Sequence, residues 1–217
     1  MIKVAGILVV AISVGVYTWL QSVRPNIFEA YVFDTPGTLS VFIRTPNDKR
    51  MLINGGSNAD IVRRISKILP FYSRRIDYVI ATESSDKATA GLNDVTSRYE
   101  VDEIFWAKGE VPALKAGEAL LIDDEVKADV LFPVPEKDFK YSNASYPQTI
   151  LRIYYGDTTI VYAGQATDKI LKFTGLFGTT TPNQVLINKN MVNEINVRKN
   201  GPLKITSDGH SLKVVKI

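Results

Sequence analysis

From residue 27 onward the chain is a string of short apolar runs, rich in β-branched and aromatic residues and each closed by a turn cluster, which commits it to a sheet-based fold. Residues 28–33 and 39–44 flank the turn Asp34-Thr35-Pro36-Gly37, and residues 50–53 follow the turn over 45–49. The segment Asn54-Gly55-Gly56-Ser57 then breaks the chain. Ile61, Val62, Ile65, Ile68 and Leu69 recur at helical spacing behind a start at Ser57 and Asp60, with Arg63, Arg64 and Lys67 outward and Pro70 as the stop. Residues 76–81 are predicted as a buried strand, 82–90 as a polar loop, 92–99 as a second helix and 103–106 as a strand. Shorter strands are predicted at 119–123 and 129–132, and a hairpin at 150–163 turning on Gly156-Asp157. A helix over 168–173 and a strand over 185–187 follow, then a final hairpin (203–206 and 211–215) turning on Asp208-Gly209. Strands early and late, with helices between them, predict an α/β sandwich of two mixed sheets covered by helices.

The N-terminus is a different kind of sequence. Val4 to Leu20 runs for 17 residues without a charge, roughly 25 Å as a helix and close to a bilayer's hydrocarbon core. Tyr17 and Trp19 stand at its C-terminal end, where interfacial aromatics are favoured. No small-residue cleavage pattern occupies residues 17–22, so the run is expected to be an uncleaved single-pass anchor rather than a signal peptide. Its all-round hydrophobicity disfavours a buried core helix. The expected division is an anchor over 1–24 and one domain over 25–217. Lys3 and Arg24 nearly balance across the run, so orientation is weakly encoded, and the domain is expected outside the membrane.

Composition excludes more than it identifies. The 217 residues include no cysteine and one histidine, His210. Disulfides, thiolate nucleophiles, Cys-type zinc sites and multi-His metal centres are therefore absent by arithmetic. The net charge of +3 is spread along the chain, with only the pairs Arg63-Arg64 and Arg74-Arg75, which is not the concentrated basic face of a nucleic-acid binder.

Four segments carry a resemblance. FDTPGTLSVFIRTPNDKRMLINGG (33–56), RRIDYVIATESSDKATAGL (74–92), ILRIYYGDTTIVYAGQATDKI (150–170) and ITSDGHSLKV (205–214), in this order, resemble the metallo-β-lactamase-fold domain at the C-terminus of ComEC-type DNA-internalisation competence proteins. The resemblance covers about residues 28–217. It implies a four-layer αββα sandwich and, in ordinary members, two divalent ions held by histidines and carboxylates. Its strand ending in I-D-G-G falls on Ile53-Asn54-Gly55-Gly56. Its T-H-x-H-x-D-H loop falls on 82–88, placing the first histidine on Glu83, the second on Ser85, the aspartate on Lys87 and the last histidine on Ala88. The bridging aspartate falls on Gln165 and the late histidine near Asn190. Every aligned ligand position is changed, and an ammonium such as that of Lys87 has no lone pair for a metal. No cofactor is therefore expected.

With its ligand positions changed, the resemblance implies a catalytically inactive binding or scaffolding domain, with a link to DNA uptake or the envelope and with a protein or nucleic acid as the partner, and the apolar run would anchor it in the membrane. Asp34, Asn54 and Asp86 are further candidate cleft residues. The alternative is a phosphodiester or ester hydrolase rebuilt on Asp34, Glu83, Asp86 and Lys87. Other features have ordinary readings. His210 is expected on a surface turn, and Tyr154, Tyr155 and Tyr162 alternate along a hairpin that sends some of them into the core. The Asn143-Ala144-Ser145 sequon is a common chance match.

Overall fold

The computed structural model describes residues 12–16, 26–106, 114–135, 138, 148–176, 183–189, 191–193 and 195–217. Residues 12–16 are helical, with Ile12, Val14 and Val16 exposed. The rest of the expected anchor lies outside the described residues, as do the 143–145 sequon and Asn190. No helix among the described residues is long and apolar enough to cross a membrane.

The described strands form two seven-stranded mixed sheets. The first contains β1 (Phe28–Thr35), β2 (Thr38–Arg44), β3 (Arg50–Ile53), β4 (Arg75–Ala81) and β5 (Glu100–Trp106), together with the final hairpin β13 (Leu203–Ser207) and β14 (Leu212–Lys216), in the order β14-β13-β1-β2-β3-β4-β5. Its β3-β4 and β4-β5 pairs are parallel. The second contains β6 (Ala119–Leu121), β7 (Val126–Phe132), β8 (Ile150–Tyr155), β9 (Thr158–Gly164), β10 (Gln184–Asn188), β11 (Met191–Val192) and β12 (Ile195–Asn196), in the order β12-β11-β10-β9-β8-β7-β6. Helices α1 (Asp60–Ile68) and α2 (Asp86–Arg98) belong to the first half of the chain, and α3 (Asp168–Phe173) and α4 (Val197–Asn200) to the second.

Strand alternation sorts the apolar residues into three layers. Phe28, Ala30 and Val32 of β1 face inward and join Leu151, Ile153 and Ile160 of the opposite sheet. Tyr31 and Phe33, one residue out of phase, join Leu52 and Val79 beneath Ile61, Ile65, Leu92 and Val95 of α1 and α2. Phe132, Ile150 and Val161 pack with Ile170 and Leu171 of α3 on the other outer face. The result is the expected αββα order. Each fully buried isoleucine contributes about 1.5–3 kcal/mol of transfer free energy.

The structure departs from the sequence reading in two places. Helix α2 starts at Asp86, six residues before the predicted start, and takes in half of the expected polar loop. The polar residues there are its solvent face, while the small residues Ala88 and Gly91 let it approach the chain break after β3. Gly55 and Gly56 donate to the Ala88 carbonyl at 2.8 and 3.1 Å, and Gly91 N–H donates to Gly56 O at 2.8 Å. A Cβ on Gly91 would lie 2.4 Å from the Gly55 oxygen. The short elements β11, β12 and α4 carry too few residues for a periodic signal. Pairing and the Asn196 side chain, which accepts from Lys199 N–H at 3.0 Å, hold them.

The two predicted hairpin turns meet at one end of the sandwich. Asp157 N–H donates to Gly209 O at 2.6 Å, and Thr158 Oγ1 lies 2.7 Å from Ser207 Oγ. His210 Nδ1 is 3.1 Å from Asp157 Oδ2, both side chains being largely exposed, as expected for a surface turn. Gly156 has φ 55°, and a Cβ there would meet Gly209 O at 2.4 Å. Gly156→Ala should therefore destabilise by about 2 kcal/mol or more, read as a lower denaturant midpoint at unchanged slope.

Candidate functional site

At the opposite end of the sandwich, the C-terminal ends of β3, β4 and β9 converge on a buried hydrogen-bond node. Asn54 follows β3 with φ 58°, a left-handed conformation that asparagine tolerates better than most residues. Its backbone N–H donates to Ile80 O at 2.9 Å. Its side-chain amide is committed on both atoms. Nδ2 donates to the Tyr162 hydroxyl oxygen at 2.8 Å and to Thr82 Oγ1 at 2.9 Å, while Oδ1 accepts from Thr82 N–H at 2.9 Å. The Tyr162 hydroxyl donates onward to Leu39 O at 2.9 Å. One amide thus joins three strand ends belonging to both sheets, and Asn54, Thr82 and Tyr162 are all buried.

Glu83 borders this node, half-buried. Its carboxylate accepts from Thr38 Oγ1 at 3.4 Å and from Ser85 Oγ at 3.2 Å. Thr149 N–H donates to Thr82 O at 2.8 Å, bringing the start of β8 to the same place. Beside it, Gln148 Oε1 accepts from Gln165 N–H at 2.7 Å. Burial pushes the Tyr162 hydroxyl up to about 12, with the Glu83 charge acting in the same direction against hydrogen bonds from Thr38, Thr82 and Asn54.

The structure brings Asn54, Glu83 and Ser85 together through Thr38. Asp86 and Lys87 are exposed in the first turn of α2, where Lys87 packs on the β1-β2 turn: a Cβ on Gly37 would lie 2.7 Å from its Cβ. Ala88 is buried and acts through its carbonyl. The Gln165 side chain is exposed. The Asp34 carboxylate accepts from Arg198 Nε of α4 at 3.2 Å. Among the described residues no hydrogen bond or ion pair joins Asp34, Glu83, Asp86 and Lys87 to one another, although Lys87 and Glu83 both border the β1-β2 turn that Asp34 begins.

Sequence reasoning did not single out Thr38 or Thr82, and it expected only that some of Tyr154, Tyr155 and Tyr162 lie in the core. Alternation along β9 was the available signal, because a buried tyrosine needs a partner for its hydroxyl. The donor set does not fit a pair of divalent ions. Asn54 directs both amide hydrogens into the node, and among the described residues no group of three His, Cys, Asp or Glu is placed to hold a metal.

No protein-family model matches the sequence, and no curated protein matches it. Solved structures do. A HARLDQ-motif mutant of a metallo-β-lactamase from Cronobacter sakazakii is 15% identical with a TM-score of 0.46, covering 65% of this chain and 62% of that one. The metallo-β-lactamase-fold protein YhfI from Bacillus subtilis is 13% identical with a TM-score of 0.48, covering 68% of each chain. A flavo di-iron protein mutant from Thermotoga maritima is 17% identical with a TM-score of 0.41, covering 64% of this chain and 38% of that one. The chain spans less than two thirds of the Cronobacter protein's length. The four-layer arrangement stands on the strand order and core layers of this chain itself.

The raised Tyr162 makes stability fall in alkali. Below pH 10 the hydroxyl is neutral in both states. Between pH 10 and about 12 the unfolded chain ionises while the folded one does not, so this contribution, about 3 kcal/mol, is lost as pH rises. Denaturant titrations of wild type and Tyr162→Phe should therefore converge as pH goes from 9 to 12.

Proposed function

We propose that this chain is a membrane-anchored αββα domain of metallo-β-lactamase type that binds or scaffolds a partner rather than hydrolysing one. The observation that carries the reading is the Asn54 node. Where the resembling family has the aspartate of I-D-G-G, this chain has a neutral amide whose hydrogens are already given to Tyr162 and Thr82. A site for dications needs converging lone pairs, and here converging donors take their place.

In this reading Glu83, Ser85, Lys87, Ala88, Gln165 and Asn190 are former ligand positions put to other uses. Glu83 closes hydrogen bonds with Thr38 and Ser85, and Ala88 anchors the Gly55-Gly56 backbone. The uncharged run Val4 to Leu20 supports a single-pass anchor over 1–24, with the domain of 25–217 held outside the membrane. A protein or nucleic-acid partner and a link to DNA uptake or the envelope rest on the resemblance to ComEC-type proteins, and fold alone does not fix function.

Elemental analysis of the full chain, purified in detergent after exposure to zinc and manganese, tests this. Metal well below stoichiometric amounts is expected. One or two tightly held ions per chain would overturn the reading, as would phosphodiester or ester turnover that Glu83→Ala abolishes.

A further inference from the structure

The loop between α1 and β4 exposes two large aromatic side chains. Phe71 is 90% and Tyr72 72% exposed, and their rings meet edge to face at 5.4 Å. Lys67 and Arg74 flank them, exposed and without an ion partner among the described residues. Several nearby acids already have partners. Glu29 pairs with Arg44 and Lys204 at 2.7 and 2.6 Å, Asp48 with Arg50 at 2.8 Å, and Arg75 takes up Asp102. The loop therefore presents bare aromatic surface between two exposed cations, with Glu100 beside Arg74, its N–H donating to Arg74 O at 2.7 Å.

Its position relative to the N-terminal run gives the surface an occupant. Tyr72 lines a cleft of about 360 Å³ together with Leu69, Pro70 and Ile27. Ile27 follows Leu20, the end of the apolar run, by seven residues, a reach of at most about 25 Å even fully extended. If residues 4–20 cross a bilayer, the chain enters the domain beside this loop, at most about 25 Å from the end of the run.

We infer that residues 70–74 form a second membrane contact, with Phe71 and Tyr72 entering the bilayer interface and Lys67 and Arg74 meeting headgroup phosphates. The inference rests on the anchor reading above. β4 begins next to this loop and ends at the Asn54 node, seven residues and about 20 Å along the strand.

The chain has no cysteine, so single labels can be introduced cleanly. Phe71→Cys, Leu121→Cys and Ile12→Cys in the full chain, each carrying a nitroxide, would be reconstituted into phosphatidylcholine–phosphatidylglycerol vesicles. Power saturation then compares contact with oxygen and with a water-soluble nickel chelate. Leu121 is 68% exposed on the edge strand β6 and serves as the aqueous reference. The oxygen-to-nickel ratio at position 71 should exceed that at 121 by roughly threefold or more, as expected for an interfacial side chain. Equal ratios at 71 and 121, with position 12 in lipid, would overturn this inference and leave the anchor standing. Position 12 in water would overturn both.

Discussion

A single carboxamide ties the two halves of this sandwich together at one end. Asn54 sits where β3 leaves the first sheet, yet its donors reach Tyr162 of the second sheet and Thr82 at the end of β4. Tyr162 in turn donates to the backbone of β2. Buried polar groups are costly unless every partner is present, and here each atom of the amide has one. An aspartate in the same place would offer no donors. It would bring a charge into a dry environment and leave the Tyr162 and Thr82 oxygens without their N–H partners. A dication would reverse that preference. The neutral residue at 54 thus suits a node that contains no ion.

The rest of the domain holds that end in place. The close backbone approach of Gly91 to Gly55 and Gly56 seats α2 against the segment carrying Asn54. The Thr149–Thr82 hydrogen bond fixes the start of β8 against the end of β4. At the far end, Gly156 and Gly209 let two hairpins from different sheets touch through their backbones. The sheets are therefore fastened at both ends and filled between by apolar side chains, whose packing supplies most of the stability.

Much of the fold was legible because the strands obey a two-residue period and the turns use the residues that their geometry requires. The hairpin over 150–163 and the final hairpin show this. The start of α2 was not legible, because Asp86, Lys87 and Thr89 look like a loop unless the glycine contact that buries the other side of the helix is known. β11, β12 and α4 are too short to carry a period. At the site, the resemblance drew attention to Asn54 and Glu83. It did not reach Thr38 or Thr82, since a threonine at a strand end is unremarkable until its partner across the fold is seen. The Asp34–Arg198 contact joins residues far apart in the chain, and a linear motif does not encode it.

The central claim is that Asn54 and Tyr162 act as one hydrogen-bonded unit that joins the two sheets. A double-mutant cycle on equilibrium unfolding, using Asn54→Ala, Tyr162→Phe and the double variant, tests it most directly. The account predicts a coupling energy of at least about 1 kcal/mol, the double variant losing clearly less stability than the sum of the singles. Additivity within roughly 0.3 kcal/mol would contradict it.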